Sequence, residues 1–119
     1  MSPLRIIFFG TPDAARYALE EMLRAGIVPH MVVTASDEPK GRGLALTSPP
    51  VKARAEEKGI PVFQPERMDE GAIRTIANEN PDLFIVAAYG KILPETLLAI
   101  PRLGALNIHP SLLPKYRGA

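Results

Sequence analysis

Short apolar runs alternate with stretches of helical period along the whole chain, and this alternation constrains the fold more than any other feature. Leu4 to Phe9 is the first run, and it ends at Gly10 as a strand covered on both faces does. Thr11 then reads as an N-cap, with Pro12 at the first helical position and Asp13 in the first turn. Ala15, Ala18, Leu19, Met22 and Leu23 follow at helical spacing, and Gly26 stops the helix. Met31 to Thr34 predicts a second strand. Residues 35–48 hold Pro39, Gly41 and Gly43 without periodicity, which predicts a long loop. Ser48 is expected to cap a helix that starts at Pro49 and runs to Lys58, with Gly59 as its stop. Ile60–Phe63 reads as a third strand, and Asp69 as the cap of a helix reaching about Asn78. Leu83–Ala88 is a fourth strand, Pro94 opens a short helix to about Ile100, and Ala105–His109 is a fifth strand. The order predicts an α/β fold: a Rossmann-like, doubly wound parallel sheet with helices on both faces.

Ligands of such sheets bind beyond the carboxyl ends of the strands. Gly10, the loop after Thr34, Tyr89-Gly90-Lys91 and the pair Asn107/His109 all fall at those ends. A net charge of +1 over 119 residues singles out neither nucleic acid nor an acidic membrane. The absence of cysteine excludes disulfides and thiolate metal ligands, and two histidines argue against a structural zinc site. No apolar run approaches the roughly 20 residues of a membrane span, and no basic segment leads into an apolar one at the N-terminus. A cytoplasmic chain with no metal, membrane or DNA partner is the expectation. The 13 prolines are scattered at element junctions rather than gathered in a disordered tract.

Four motifs carry chemistry. Gly10-Thr11-Pro12 stands where dinucleotide folds hold a phosphate, but it has one glycine and Pro12 has no N–H to donate, so a tight turn with a helix cap competes with a ligand role. Residues 39–54 contain Lys40, Arg42, Lys52 and Arg54 and no acid, with Arg42 between two glycines. Such a loop suits a phosphate backbone, although a solvated surface loop has the same composition. Tyr89-Gly90-Lys91 follows a buried strand, either as a plain strand-to-helix turn or as a close approach to a ligand. Asn107 and His109 are two apart, so on an extended strand they face one way. An amide N–H and an imidazole N–H aimed at one oxygen would stabilise a developing oxyanion. A satisfied structural pair at a strand end is the alternative. Pro110 and Pro114 bracket Ser111-Leu112-Leu113 in a stiff turn whose free backbone groups suit a flat heteroaromatic ligand.

These residues resemble a known family. Asn107-Ile-His-Pro-Ser-Leu-Leu-Pro-Lys-Tyr-Arg-Gly118 is similar to the signature of folate-dependent formyltransferases. Ile6-Ile-Phe-Phe-Gly-Thr-Pro12, Gly41-Arg-Gly43, Ser48-Pro-Pro-Val-Lys52, Gln64-Pro65 and Ala88-Tyr-Gly-Lys-Ile-Leu-Pro94 extend the likeness to the methionyl-tRNA formyltransferases within it. The resemblance implies transfer of a formyl group from 10-formyltetrahydrofolate to the α-amine of methionine on initiator tRNA. It implies that Asn107 and His109 are catalytic, that Ser111, Leu112, Leu113 and Pro114 hold the folate, and that Lys91, Ile92 and Leu93 line its pterin pocket. The loop with Lys40 and Arg42 would enter the tRNA acceptor arm. This chain has Ala35-Ser36-Asp37 where the family usually has Gln-Pro-Asp. The family's third catalytic residue is an aspartate further along. The 119 residues are therefore expected to be the N-terminal part of a catalytic domain, without the rest of that domain or a C-terminal tRNA-gripping barrel, and inactive alone. A formyltransferase for a small amine such as an amino-sugar nucleotide, and a noncatalytic folate-binding module, are the alternatives.

Overall fold

The computed structural model describes residues 3–40 and 45–109. These residues form seven strands and four helices in the order β1 Ile6–Gly10, α1 Asp13–Arg24, β2 Met31–Val33, β3 Glu38–Lys40, β4 Ala45–Thr47, α2 Pro50–Glu57, β5 Val62–Phe63, α3 Glu70–Ala77, β6 Leu83–Ala87, α4 Glu95–Leu98 and β7 Ala105–Asn107. Five strands form a parallel sheet in the order β5-β2-β1-β6-β7. The chain winds outward from β1 to β2 and β5, then returns to the other side of β1 for β6 and β7. This is the doubly wound arrangement expected from the sequence.

Alternation along β1 explains the two layers. Every residue of β1 is buried, and its side chains point to opposite faces in turn. Ile6 and Phe8 pack with Val32 and Ile85 against Ala15, Ala18, Leu19 and Met22 of α1 and Val51 and Ala55 of α2. Ile7 and Phe9 face the other way, onto Ile76 of α3, Leu97 of α4 and Tyr89. Phe9 meets Phe84 and Tyr89 edge-on, with centroids 4.9 and 5.9 Å apart. The apolar stripe read for α1 is its buried face, and Gly26 follows the helix with φ of 82°, the left-handed turn that suits glycine.

Five expectations are corrected. Thr11 does not cap α1: Pro12 occupies the cap position, and the Thr11 hydroxyl is engaged elsewhere. Ser48 does not cap α2: Pro49 is the cap residue, Pro50 starts the helix, and the Ser48 hydroxyl donates to Asp37 at 3.4 Å. The predicted loop 35–48 contains an antiparallel hairpin, in which Glu38 pairs with Thr47, Pro39 with Leu46 and Lys40 with Ala45. Three-residue strands are too short to show period-two alternation, and they pair through main-chain groups that side-chain pattern does not report. The third strand begins at Val62 rather than Ile60. The fifth ends at Asn107 rather than His109, although the Ile108 N–H still reaches the Val86 carbonyl at 2.8 Å.

Asp69 does cap α3, its carboxylate accepting from the Ala72 N–H at 2.9 Å. Asp69→Ala is expected to lower stability by about 1 kcal/mol, read as a lower urea midpoint with an unchanged m-value.

At the amino ends of the strands, Asp82 accepts the Arg5 backbone N–H and the Arg102 Nε, both at 2.8 Å. These two donors hold its carboxyl below the ordinary value of 3.8, the Arg5 N–H contributing most. A carboxyl depressed in the fold stabilises it fully at higher pH. Below about 3.8 the unfolded chain takes up a proton that the fold still refuses, so the contribution drains away as pH falls toward the folded value. Urea midpoints are expected to drop as pH goes from 5 to 3, and Asp82→Asn is expected to flatten that drop while lowering stability at pH 7.

Candidate functional site

Parallel pairing puts the ends of β1, β6 and β7 on one edge, with Gly10 opposite Ala87 and Val86 opposite Asn107. Thr11 ties this edge together. Its hydroxyl donates to the Tyr89 carbonyl at 2.9 Å and accepts the Ala35 N–H at 3.2 Å, with the buried Thr34 hydroxyl 3.5 Å away. One side chain thus joins the segments following β1, β2 and β6. Gly10 is required here by close approach: a Cβ would stand 2.7 Å from the Ala15 Cβ and 2.9 Å from the Ala87 carbonyl. That favours the tight-turn account of Gly10-Thr11-Pro12.

A cavity of about 450 Å³ opens at the ends of β6 and β7, lined by Val86, Ala88, Tyr89, Lys91, Leu93, Leu98, Ala105 and Asn107. Its wall is largely apolar, with the Asn107 amide and the Lys91 ammonium as polar groups. Ala88 leaves β6 with φ of 60°, a left-handed conformation costly for a residue with a Cβ, and this bend carries the chain around the cavity. Lys91 Nζ donates to the Glu66 carbonyl at 2.6 Å, which fixes one side of the opening.

Of the residues proposed from sequence, the structure brings together Asn107, Lys91 and Leu93 on this cavity. Ile92 is 92% exposed and lies outside the lining. His109 is exposed, two residues past Asn107 and beyond the end of β7. Ser111, Leu112, Leu113, Pro114 and Arg42 lie outside the described residues, as does the side chain of Lys40. Two cations of the acid-free stretch are paired. Lys52 pairs with Asp37 at 3.2 Å, and Arg54 with Glu20 at 2.8 Å and Glu57 at 3.4 Å. Sequence reasoning missed Val86, Ala88, Leu98 and Ala105, which look like ordinary core residues; the place of Val86 and Ala88 at the carboxyl end of β6 is the one local hint. It also missed Thr11 as a tie, because its partners are 24 and 78 residues away.

The Tyr89 ring is 3% exposed, and its hydroxyl has no hydrogen-bond partner among the described residues. Burial raises the phenol's pKa above its ordinary value of 10.0. A buried hydroxyl without a partner costs about 1–3 kcal/mol. Tyr89→Phe keeps the edge-on contact with Phe9 and removes that cost, so its thermal midpoint is expected to equal or exceed that of the wild type.

Residues 4–119 match the model of the formyl transferase family. The chain belongs to the formyl transferase family. It is 52% identical, over its full length, to a methionyl-tRNA formyltransferase of Geobacter metallireducens, of which it covers 39%. It is 54% identical over 98% of its length to one from Desulfotalea psychrophila, covering 36% of that protein. The chain thus spans less than two fifths of the length of these relatives. Among solved structures it is similar to the phosphoribosylglycinamide formyltransferase of Anaplasma phagocytophilum, with a TM-score of 0.60, 26% identity, and coverage of 91% of this chain and 50% of that one. The fold is thus shared with a formyltransferase named for a different acceptor. Among the described residues no helix is long and apolar enough to cross a membrane.

Proposed function

We propose that these residues carry the donor pocket and the oxyanion-stabilising groups of an enzyme that moves a formyl group from 10-formyltetrahydrofolate to the α-amine of methionyl initiator tRNA. The observation that carries this reading is the Asn107 amide on the rim of an apolar cavity at the carboxyl ends of β6 and β7, in a chain about half identical to methionyl-tRNA formyltransferases.

The chemistry follows from the groups. A neutral amine attacks the formyl carbon, and the carbonyl oxygen gains negative charge. The Asn107 N–H donates one hydrogen bond to that oxygen, and His109 donates a second as imidazolium or as the matching neutral tautomer. His109 then passes the amine's proton to the departing N10. The flat pterin occupies the apolar cavity beside Lys91 and Leu93, and Ser111, Leu112, Leu113 and Pro114 hold the rest of the folate. Lys40 and Arg42 meet the phosphates of the acceptor stem. An aspartate that the family carries further along orients His109. Such a chain works in the cytoplasm, where its tRNA is.

Nuclear magnetic resonance titration of the ¹⁵N-labelled chain tests the placement. 10-Formyltetrahydrofolate is expected to shift amides of residues 86–93, Leu98 and Ala105–His109, and methionyl-tRNA those of β3 and β4. Donor-induced shifts confined to other parts of the sheet would contradict the pocket assignment.

A further inference from the structure

The β3–β4 hairpin has little to hold it. It pairs with neither edge of the main sheet, and its described side chains, Glu38, Leu46 and Thr47, are all exposed. A lone two-stranded hairpin is marginally stable in water. Its base, however, is bound to the body through one carboxylate. Asp37, the residue before β3, accepts from Gln64 Nε2 at 2.7 Å, from Lys52 Nζ at 3.2 and 3.3 Å, and from Ser48 Oγ at 3.4 Å. Ser48 follows β4, so both stems of the hairpin meet at this carboxylate. Lys52 belongs to the first turn of α2, and Gln64 follows β5. Gln64 donates a further bond to the Ala35 carbonyl at 2.9 Å, and the Ala35 N–H is the one held by Thr11. The base of the hairpin is thereby linked to the loop that lines the cavity, through Gln64, Ala35, Thr11 and the Tyr89 carbonyl. The Asp37 and Lys52 side chains are only 27% and 20% exposed, so the ion pair is partly shielded from water.

We infer that Asp37 is the positioning residue of the acceptor arm: its carboxylate clamps both stems of the β3–β4 hairpin to Lys52 and Gln64, and so aims the arm relative to the formyl-transfer site. As a statement about acceptor binding this rests on the function proposed above; as a statement about hairpin order it stands on the hydrogen bonds alone. Asp37 touches neither donor nor acceptor in this arrangement. Its effect passes through the arm.

The test uses the 119-residue chain and two variants, Asp37→Asn and Lys52→Gln. Amide hydrogen exchange is read over β3 and β4, with β1 and β6 as internal reference. Loss of a charged hydrogen bond is expected to speed exchange in the hairpin by about 10-fold while the reference strands stay unchanged. The double variant is expected to be no faster than either single one, because both remove the same clamp. In parallel, the Kd for methionyl-tRNA is expected to rise about 10-fold in each variant while that for 10-formyltetrahydrofolate stays within twofold, a split that general loss of stability does not produce. Unchanged hairpin exchange in both variants overturns the clamp. Faster exchange with unchanged tRNA affinity overturns its role in acceptor positioning. If the wild type binds donor but no tRNA, the acceptor reading fails, and the exchange data still decide whether Asp37 orders the hairpin.

Discussion

Asn107→Ala and His109→Ala are each expected to slow formyl transfer by about 10²–10³-fold, equivalent to roughly 2.7–4 kcal/mol of lost transition-state stabilisation. The reason is geometric. Asn107 is on the rim of the apolar cavity, and among the described residues that line it the other polar side chains are Lys91, already donating to the Glu66 carbonyl, and Tyr89, whose hydroxyl is buried. A donor aimed at an oxyanion matters in the transition state and little in the ground state. The two substitutions are therefore expected to lower kcat and leave donor affinity within a few-fold. They are to be measured in a chimera that joins residues 1–119 to the downstream portion of the Geobacter metallireducens relative. The double substitution is expected to cost less than the sum of the single ones, because both donors serve one oxygen. A lowered donor affinity with normal single-turnover transfer would instead make the pair a folate anchor.

Gly10→Ala is expected to be the most damaging single substitution for stability, at about 3 kcal/mol or more. The added methyl would meet the Ala15 Cβ at 2.7 Å, the Phe8 ring at 2.8 Å and the Ala87 carbonyl at 2.9 Å, with no flexible side-chain tip among them to move aside. Relief requires α1 to shift off β1 or β6 to part from it. Either movement disturbs Thr11, which joins the loops after β1, β2 and β6. A domain of this size has about 5–15 kcal/mol to lose, so the variant is expected to show a much lower urea midpoint and weakened donor binding together. Ala15→Gly in the same chain removes the 2.7 Å conflict and is expected to recover part of the loss. A Gly10→Ala chain as stable as the wild type would mean that α1 and β1 are packed more loosely than described.

The central sheet was legible because burial on both faces leaves a plain mark. Ile6–Phe9 and Leu83–Ala87 are nearly unbroken apolar runs, and α1 carries its stripe at helical period. The caps were less legible. Thr11 and Ser48 have the right chemistry at the right place, but each hydroxyl is used by a partner distant in sequence, Tyr89 and Asp37 respectively. Local spacing cannot show that competition. The hairpin at residues 38–47 left no periodic trace, and the charges of Lys52 and Arg54 looked free because Asp37 and Glu20 lie outside the acid-free window. At the candidate site, strand-end position located Asn107, Lys91 and Leu93, whereas the apolar walls Val86, Leu98 and Ala105 were indistinguishable from core. Resemblance groups Ile92 with Lys91 and Leu93, yet its side chain is exposed to solvent.

Single-turnover transfer from 10-formyltetrahydrofolate by the chimera, offered methionyl-tRNA and an amino-sugar nucleotide in competition, tests the account most directly. The account predicts formyl-methionyl-tRNA as the product, with transfer slowed about 10²–10³-fold by His109→Ala. Formylation of the sugar amine in preference to the tRNA, or transfer to tRNA that is indifferent to both Asn107 and His109, would contradict it.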